Sequence, residues 1–320
     1  MTLEDDEFAT FRFERKDDHG PQDLDAVDDI LEEREFRQAL MDAGARIIAE
    51  GFVMFVDDIL ARLGLIDKDG KQVLGDLSGS PAAKLTKMTD DGLLSQWNWQ
   101  ARLWPINESR SNYRIIMQTL SENVRFGPGA RREKVLSLGA GPGLYETFLA
   151  GLLSPMSMIC TDYAEGMVEM ANRIKNLATF FFRQQVRMQV QKEDMTSLSF
   201  SSGSIDKIIC NNSLQWVPRW RQAIAEMARV IKKDGGILYL IINGHPMCHK
   251  NRGGRFCVAP HEIDDIFNVL ERNDFEIDVM QQIFGEGVGQ KGMDTDRIFV
   301  RATLKPGVII RPWQSLKMQQ

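Results

Sequence analysis

The spacing of hydrophobic positions changes along this chain. From Leu31 the apolar residues recur at helical intervals: Phe36, Leu40, Ala43 and Ile47, then Phe52, Phe55, Val56, Ile59, Leu60 and Leu63. Lys68-Asp69-Gly70-Lys71 is a turn signal between two short apolar runs and predicts a small hairpin. Gly75 to Pro81 reads as loop. A second helical stretch carries Trp97, Trp99 and Trp104 and breaks at Pro105. A third runs from about Asn107 to Val124, ahead of the breaker Phe126-Gly127-Pro128-Gly129.

Beyond Gly129 strands alternate with helices. Strands are predicted at Val135 to Leu138, Met158 to Thr161, Val186 to Val190, Ile205 to Cys210 and Ile237 to Ile242. Helices are predicted at Leu144 to Leu153, Ala164 to Leu177, Pro218 to Ile231 (opening on its proline) and about Pro260 to Arg272. Phe275 to Met280 and Ile298 to Leu304 close the series as an antiparallel pair. The expected fold class is α/β: a doubly wound, seven-stranded, mostly parallel sheet whose last strand is antiparallel, with an N-terminal helical cover region. The expected division is an acidic leader (1–30), a helical cover and substrate region (31–129), a catalytic α/β domain (130–305) and a C-terminal tail (306–320).

The 320 residues are 43% hydrophobic and 26% charged, which excludes wholesale disorder, collagen and coiled coil. The net charge of −6 is unevenly spread. Residues 1–50 hold 16 acids and 6 bases, whereas the other 270 residues hold 29 acids and 33 bases. A nearly neutral body with an acidic head argues against coating nucleic acid, and no nucleic-acid partner is expected. The uncharged tract ending at Thr161 is interrupted by Ser154, Pro155 and Ser157, short of the ~20 apolar residues of a membrane span. The opening Met-Thr-Leu-Glu-Asp-Asp-Glu has no basic flank or apolar core, so no secretory signal is expected, and four cysteines in 320 residues lack disulfide-scaffold density. A cytoplasmic protein without a membrane partner is expected.

The most informative segment is Val135-Leu136-Ser137-Leu138-Gly139-Ala140-Gly141-Pro142-Gly143. Its glycines fall between a buried strand and a helix, where the missing Cβ lets a ligand approach the backbone. Asp162 ends the next strand, where a carboxylate can accept from both hydroxyls of a ribose. A dinucleotide fingerprint requires a glycine where Leu144 stands, and no Gly-Lys-Ser/Thr completes a phosphate loop.

The spacing resembles the class I S-adenosylmethionine-dependent methyltransferases. Thr161-Asp162-Tyr163-Ala164-Glu165-Gly166-Met167, Glu193-Asp194-Met195, Ile205 to Asn212 and Val230-Ile231-Lys232-Lys233-Asp234-Gly235-Gly236 are similar to further motifs of that family, in order, over about residues 130–304. The resemblance implies S-adenosyl-L-methionine as cofactor. It also implies a cofactor site at Ser137, Gly139, Gly141, Gly143, Asp162, Tyr163, Asp194, Met195 and Asn211, with Asp162 on the ribose and Asp194 at the adenine. One departure stands out. The family's acid two residues before the first glycine, which helps anchor the methionyl end, is Ser137 here.

The methyl acceptor is expected to be a small organic molecule. Leu214-Gln215-Trp216 is similar to a step in trans-aconitate methyltransferase and in the biotin-pathway enzyme that esterifies a malonyl carrier, which favours a carboxylate. A carboxylate is ionised at neutral pH and needs no base, whereas phenols and amines usually need one. Gln215 and Trp216 could hydrogen-bond such an anion, and Trp97, Trp104 and Tyr113 could wall an apolar pocket. His245, Cys248, His249, Cys257 and His261 crowd one loop with Arg252 and Arg255. His245 and His249 are candidates for proton transfer and the two arginines for an anion clamp. Alternatively the segment is plain loop, and its spacings match no familiar zinc pattern, so no metal is expected. Competing with the O-methyltransferase reading are an N- or C-methyltransferase and a cofactor-free scaffold. In the scaffold reading, the helical region docks a protein partner.

Overall fold

The computed structural model describes residues 44–67, 69–71, 73, 90–101, 105, 110–124, 133–152, 157–243, 248–251, 254–257, 263–283 and 297–305. The acidic leader (1–30), the tail (306–320), Trp104, His245 and Arg252 lie outside them, as does His261.

Among the described residues, three helices precede the sheet: α1 (residues 44–62), α2 (Asp90–Gln100) and α3 (Arg110–Asn123). The turn expected after α1 is present. Asp67 N–H donates to the Lys71 carbonyl, Val73 N–H to the Leu65 carbonyl, and Asp67 Oδ1 accepts from Asp69 and Lys71 N–H. The α/β part follows as β1 (Lys134–Leu138), α4 (Leu144–Leu152), β2 (Ser157–Asp162), α5 (Glu165–Phe182), β3 (Met188–Lys192), β4 (Lys207–Asn211), α6 (Trp220–Val230) and β5 (Ile237–Asn243). It closes with β6 (Cys248–Asn251), β7 (Gly254–Cys257), α7 (Ile263–Arg272), β8 (Phe275–Ile283) and β9 (Arg297–Leu304).

Seven strands form one sheet in the order β3-β2-β1-β4-β5-β9-β8. The first five pair in parallel, and β9 runs antiparallel to both β5 and β8. This is the expected fold class. Two sequence expectations are corrected. The stretch after β5, read as loop, contains a hairpin in which Cys248 pairs with Cys257 and His249 with Phe256. The helix expected to open on Pro218 begins at Trp220, because a 3-10 turn (Leu214–Trp216) reaches Val217, whose N–H donates to Leu214.

Both faces of the sheet are covered, so the central strands read as continuous apolar runs rather than alternating ones. On one face α1, α3, α4 and α5 share a core with Val135, Met158, Ile209 and Tyr239. On the other, α6 and α7 pack over Leu136, Ile208, Leu238 and Val300. The helix spacing explains the burial: α5 hides Met167, Met170, Ala171, Ile174 and Ala178, one face of a 3.6-residue period. Aromatic rings bind α1 to the sheet's helices. Phe52 lies 5.7 Å from Tyr113, 4.7 Å from Tyr145 and 5.3 Å from Phe148, and Phe55 lies 5.3 Å from Phe181. The predicted cover helices are thus built into the same hydrophobic core as half of the sheet.

The chain lays down β1, β2 and β3 outward in one direction, then returns to place β4 on the other side of β1. Ligands of open α/β sheets bind where the order reverses, beyond the carboxyl ends of the strands. That position is shared by the end of β1 and the end of β4.

Candidate active site

A cleft of about 1350 Å³, open to solvent, occupies this position. Its lining comes from the loop after β1 (Gly139, Ala140, Gly141, Pro142), the start of α4 (Leu144, Tyr145, Glu146) and the end of β2 (Asp162, Tyr163). Asp194, Met195 and Thr196 follow from the segment after β3, and Asn211 to Ser213 from the end of β4. Trp216 to Arg219 lie beyond that strand, and Leu94 and Trp97 of α2 and Tyr113 of α3 complete the wall.

The glycine loop is bound tightly to its neighbours. Gly139 has φ +61°, and a Cβ there would stand 2.5 Å from Ser213 Cβ. Ser213 itself is pinned by donating to the Leu138 carbonyl at 3.0 Å. Gly143 (φ +69°) is close to Cys160 and Ala171 rather than to the cleft, so it serves the packing of the loop on β2 and α5. Asp162 braces the loop from the side. Its Oδ2 accepts from Gly141 N–H at 2.9 Å and its Oδ1 from Ala164 N–H at 2.8 Å. Burial pushes its carboxyl above the ordinary range, and these backbone donors oppose that shift. A further backbone donor, from Tyr163, acts in the same direction.

Asp194 accepts from Thr196 N–H and from its hydroxyl, and its other oxygen lies 3.5 Å from the Arg219 guanidinium. Trp97 meets Trp216 edge-on with ring centroids 4.8 Å apart, so α2 closes one side of the cleft. Asn98 fastens that helix by accepting from Gly166 N–H at 2.8 Å. Asn212 holds φ +53° at the end of β4.

Ser137 and Glu146 form a buried pair that sequence reasoning did not foresee. Ser137 Oγ donates to Glu146 Oε1 at 2.6 Å, while Oε2 is buried with no partner. Burial raises the Glu146 carboxyl to about 7; the serine bond lowers it and the nearby Asp162 charge raises it. The signal available in sequence was a serine at an acidic motif position followed by a glutamate in the first turn of the next helix.

The expected cofactor residues Gly139, Gly141, Asp162, Tyr163, Asp194, Met195 and Asn211 all line this one cleft, as do the expected substrate residues Trp97, Trp216 and Tyr113. Tyr113 is buried and gives its hydroxyl proton to the Pro105 carbonyl. Gln215 is buried behind the wall, its amide donating to Asn212 Oδ1. His249 and Arg255 sit on the β6–β7 hairpin, two strands that pair only with each other. Beyond the sequence-based set, Leu94, Tyr145, Glu146, Asn212 and Arg219 join the lining.

The described wall therefore carries three carboxyl groups and one guanidinium, together with a buried, unpartnered Asn211 Oδ1. A glycine cradle that Cβ atoms would fill and an excess of acceptors fit a nucleoside bearing a cationic tail. A sheet of this order with a glycine loop after β1 and a carboxylate at the end of β2 defines the class I methyltransferase architecture.

Comparison with known proteins agrees. Residues 136–239 match the family model described as a methyltransferase domain. The match supports a class I S-adenosylmethionine-dependent methyltransferase domain in this part of the chain, and S-adenosylmethionine is the cofactor that such a domain implies. Among curated relatives, a malonyl-[acyl-carrier protein] O-methyltransferase of Geobacter sulfurreducens is 30% identical over 38% of this chain and 42% of its own length. A demethylmenaquinone methyltransferase of Clavibacter sepedonicus is 30% identical over 38% of this chain and 46% of its own. The alignments thus span less than half of either relative. A solved methyltransferase structure from Methanosarcina mazei superposes with a TM-score of 0.47 at 19% identity, covering 55% of this chain and 93% of that one.

Proposed function

We propose that this chain transfers a methyl group from S-adenosylmethionine to a small organic molecule, with a carboxylate oxygen as the favoured acceptor. The observation that carries the reading is the convergence of the glycine loop, Asp162, Asp194 and Met195 on one cleft that continues to the Trp97–Trp216 pair. When bound, the cofactor supplies an activated methyl group on a cationic sulfur. The chain's own residues bind and orient. The Gly139–Gly141 backbone accepts the close approach of the ligand, Asp162 takes the ribose hydroxyls, and Asp194 with Met195 holds the adenine. Asn211, whose side-chain carbonyl oxygen is buried without a partner, joins the cofactor contacts. Trp97 and Trp216 exclude water and present an indole N–H to an anionic oxygen.

A carboxylate acceptor requires no general base, so positioning supplies most of the rate. Arg219, at the cleft wall and shared with Asp194, is the described cation available to an anionic acceptor. The Geobacter relative is named as an O-methyltransferase, which supports the choice of oxygen. On sequence grounds His245 and His249 are the candidates for proton transfer, and Arg252 and Arg255 for an anion clamp. Buried free thiols at Cys160 and Cys210 suit a reducing compartment, and we place the protein in the cytoplasm. Among the described residues no helix is long and apolar enough to cross a membrane.

Calorimetry with S-adenosylmethionine is the first test: absence of binding at millimolar concentration would overturn the enzyme reading in favour of a scaffold. The acceptor class follows from a screen of carboxylic acids, phenols and amines with tritiated cofactor. A methyl ester is released by mild base, so a base-stable product would refute the carboxylate assignment. Trp216→Ala is expected to lower turnover at least tenfold while leaving cofactor affinity within about threefold.

A further inference from the structure

Glu146 is a carboxyl group without a settled charge partner. It is 2% exposed, lines the cleft, and has one oxygen held by Ser137 and the other without a partner. A buried acceptor left open costs free energy, and a buried anion costs far more unless it meets a cation. Among the described residues, the groups around it do not provide one. From β1 the neighbour is the neutral Ser137; from β2 they are the Asp162 carboxyl and the Cys160 thiol, whose own proton burial holds firmly. Lys175 of α5 acts on Cys160 and bonds the Met188 carbonyl. Arg110 and Arg114 of α3 are engaged by Asp57 and Glu50 of α1. Arg219, the cation of the cleft wall, faces Asp194.

We infer that Glu146 is the cation receptor of this cleft, protonated in the empty protein and ionised when a positively charged ligand enters. Position and chemistry agree. Oε2 is buried without a partner in a residue that lines the same cleft as the glycine loop, the serine bond favours the ionised form, and a cation replaces the hydration the buried carboxylate lacks. The inference also accounts for Ser137: the strand gives up a charge of its own and orients one supplied by the following helix. It rests on the proposed function only for the identity of the ligand, a sulfonium and ammonium compound. Binding then expels a proton from Glu146 to the solvent, so affinity is linked to pH.

The test is titration calorimetry of the full chain with S-adenosylmethionine from pH 6 to pH 8, in phosphate and in Tris buffer. With the carboxyl titrating near 7, affinity is expected to rise about tenfold over that range, with close to one proton released per ligand at pH 6. Glu146→Gln should abolish both the proton release and the rise, because the ligand's own amino group titrates alike with either protein. Ser137→Ala, which removes a bond that favours ionisation, should move the midpoint to higher pH; this variant serves if Glu146→Gln does not fold. Equal affinity and equal, buffer-independent heat for the wild type and Glu146→Gln would overturn the inference while leaving the methyltransferase reading intact. No binding at any pH would overturn both.

Discussion

At the scale of single residues, the site depends on side chains whose role is set by what burial denies them. Glu146 carries the clearest consequence for stability. Its carboxyl titrates near 7 in the folded chain and near 4.5 in the ordinary range, so above pH 4.5 the unfolded chain has already lost a proton that the folded chain retains. Stability therefore falls as pH rises from about 4.5 to 7 and the full penalty, roughly 3 kcal/mol, applies above that. Urea denaturation of the empty protein at pH 5 and pH 8 should show a loss that is largely absent in Glu146→Gln, which keeps the serine bond without the charge. Gly139 sets a second test. Alanine there meets both a left-handed φ and Ser213 at 2.5 Å, so Gly139→Ala is expected to destabilise by about 1–3 kcal/mol and to weaken S-adenosylmethionine binding at least tenfold by calorimetry. The glycines and Asp162 were legible in sequence because a motif is a statement about backbone. Glu146 was not, since its meaning depends on a serine nine positions earlier that only the β1–α4 turn brings within 2.6 Å.

Among the elements, periodicity located the strands and long helices because each has one or two buried faces to reveal. It failed at two places for a physical reason. The β6–β7 hairpin is a four-residue ladder rich in polar residues (Cys-His-Lys-Asn against Gly-Arg-Phe-Cys), so no alternation marks it. The start of α6 was displaced because Pro218 lies in a separate turn between the 3-10 turn and the helix, closed by Trp220 N–H donating to the Val217 carbonyl. The seat of α2 was likewise invisible, being made by the Asn98 side chain on Gly166 N–H and by Leu94, Trp97 and Ala101 packing with Ala164 and Met167. Gly166 lets Asn98 approach so closely that an added Cβ would lie 3.0 Å from the Asn98 carbonyl oxygen. Gly166→Ala should push α2 outward and separate Trp97 from Trp216. The expected readout is a several-fold rise in KM for the methyl acceptor with cofactor affinity little changed, together with altered tryptophan fluorescence. On the core side of the same region, Phe52→Ala removes a ring that touches Phe55, Tyr113, Tyr145 and Phe148, and should cost about 3–5 kcal/mol in denaturant unfolding.

For the molecule as a whole, fold class followed from the alternation of elements, whereas the acceptor did not, because specificity resides in a few side chains on a widely shared architecture. The overall acidity is also uninformative about the ligand: the excess lies in the first 50 residues, while the local balance around the cleft is what a cation meets. The aromatic cluster that ties α1 to α4 and α5 has a further consequence, for where the chain can be cut. Homology marks residues 136–239, and the motifs extend to about residue 304, which invites expression of a trimmed catalytic fragment. Such a fragment would strip the Phe52 and Phe55 rings from Tyr145, Phe148, Phe181 and Phe182 and turn that aromatic surface to water. A clone beginning near residue 130 is therefore expected to be recovered in inclusion bodies, or as a dye-binding, protease-sensitive globule, while one beginning before residue 44 yields a cooperatively melting protein. The segment recognisable by descent is smaller than the segment that must be inherited together.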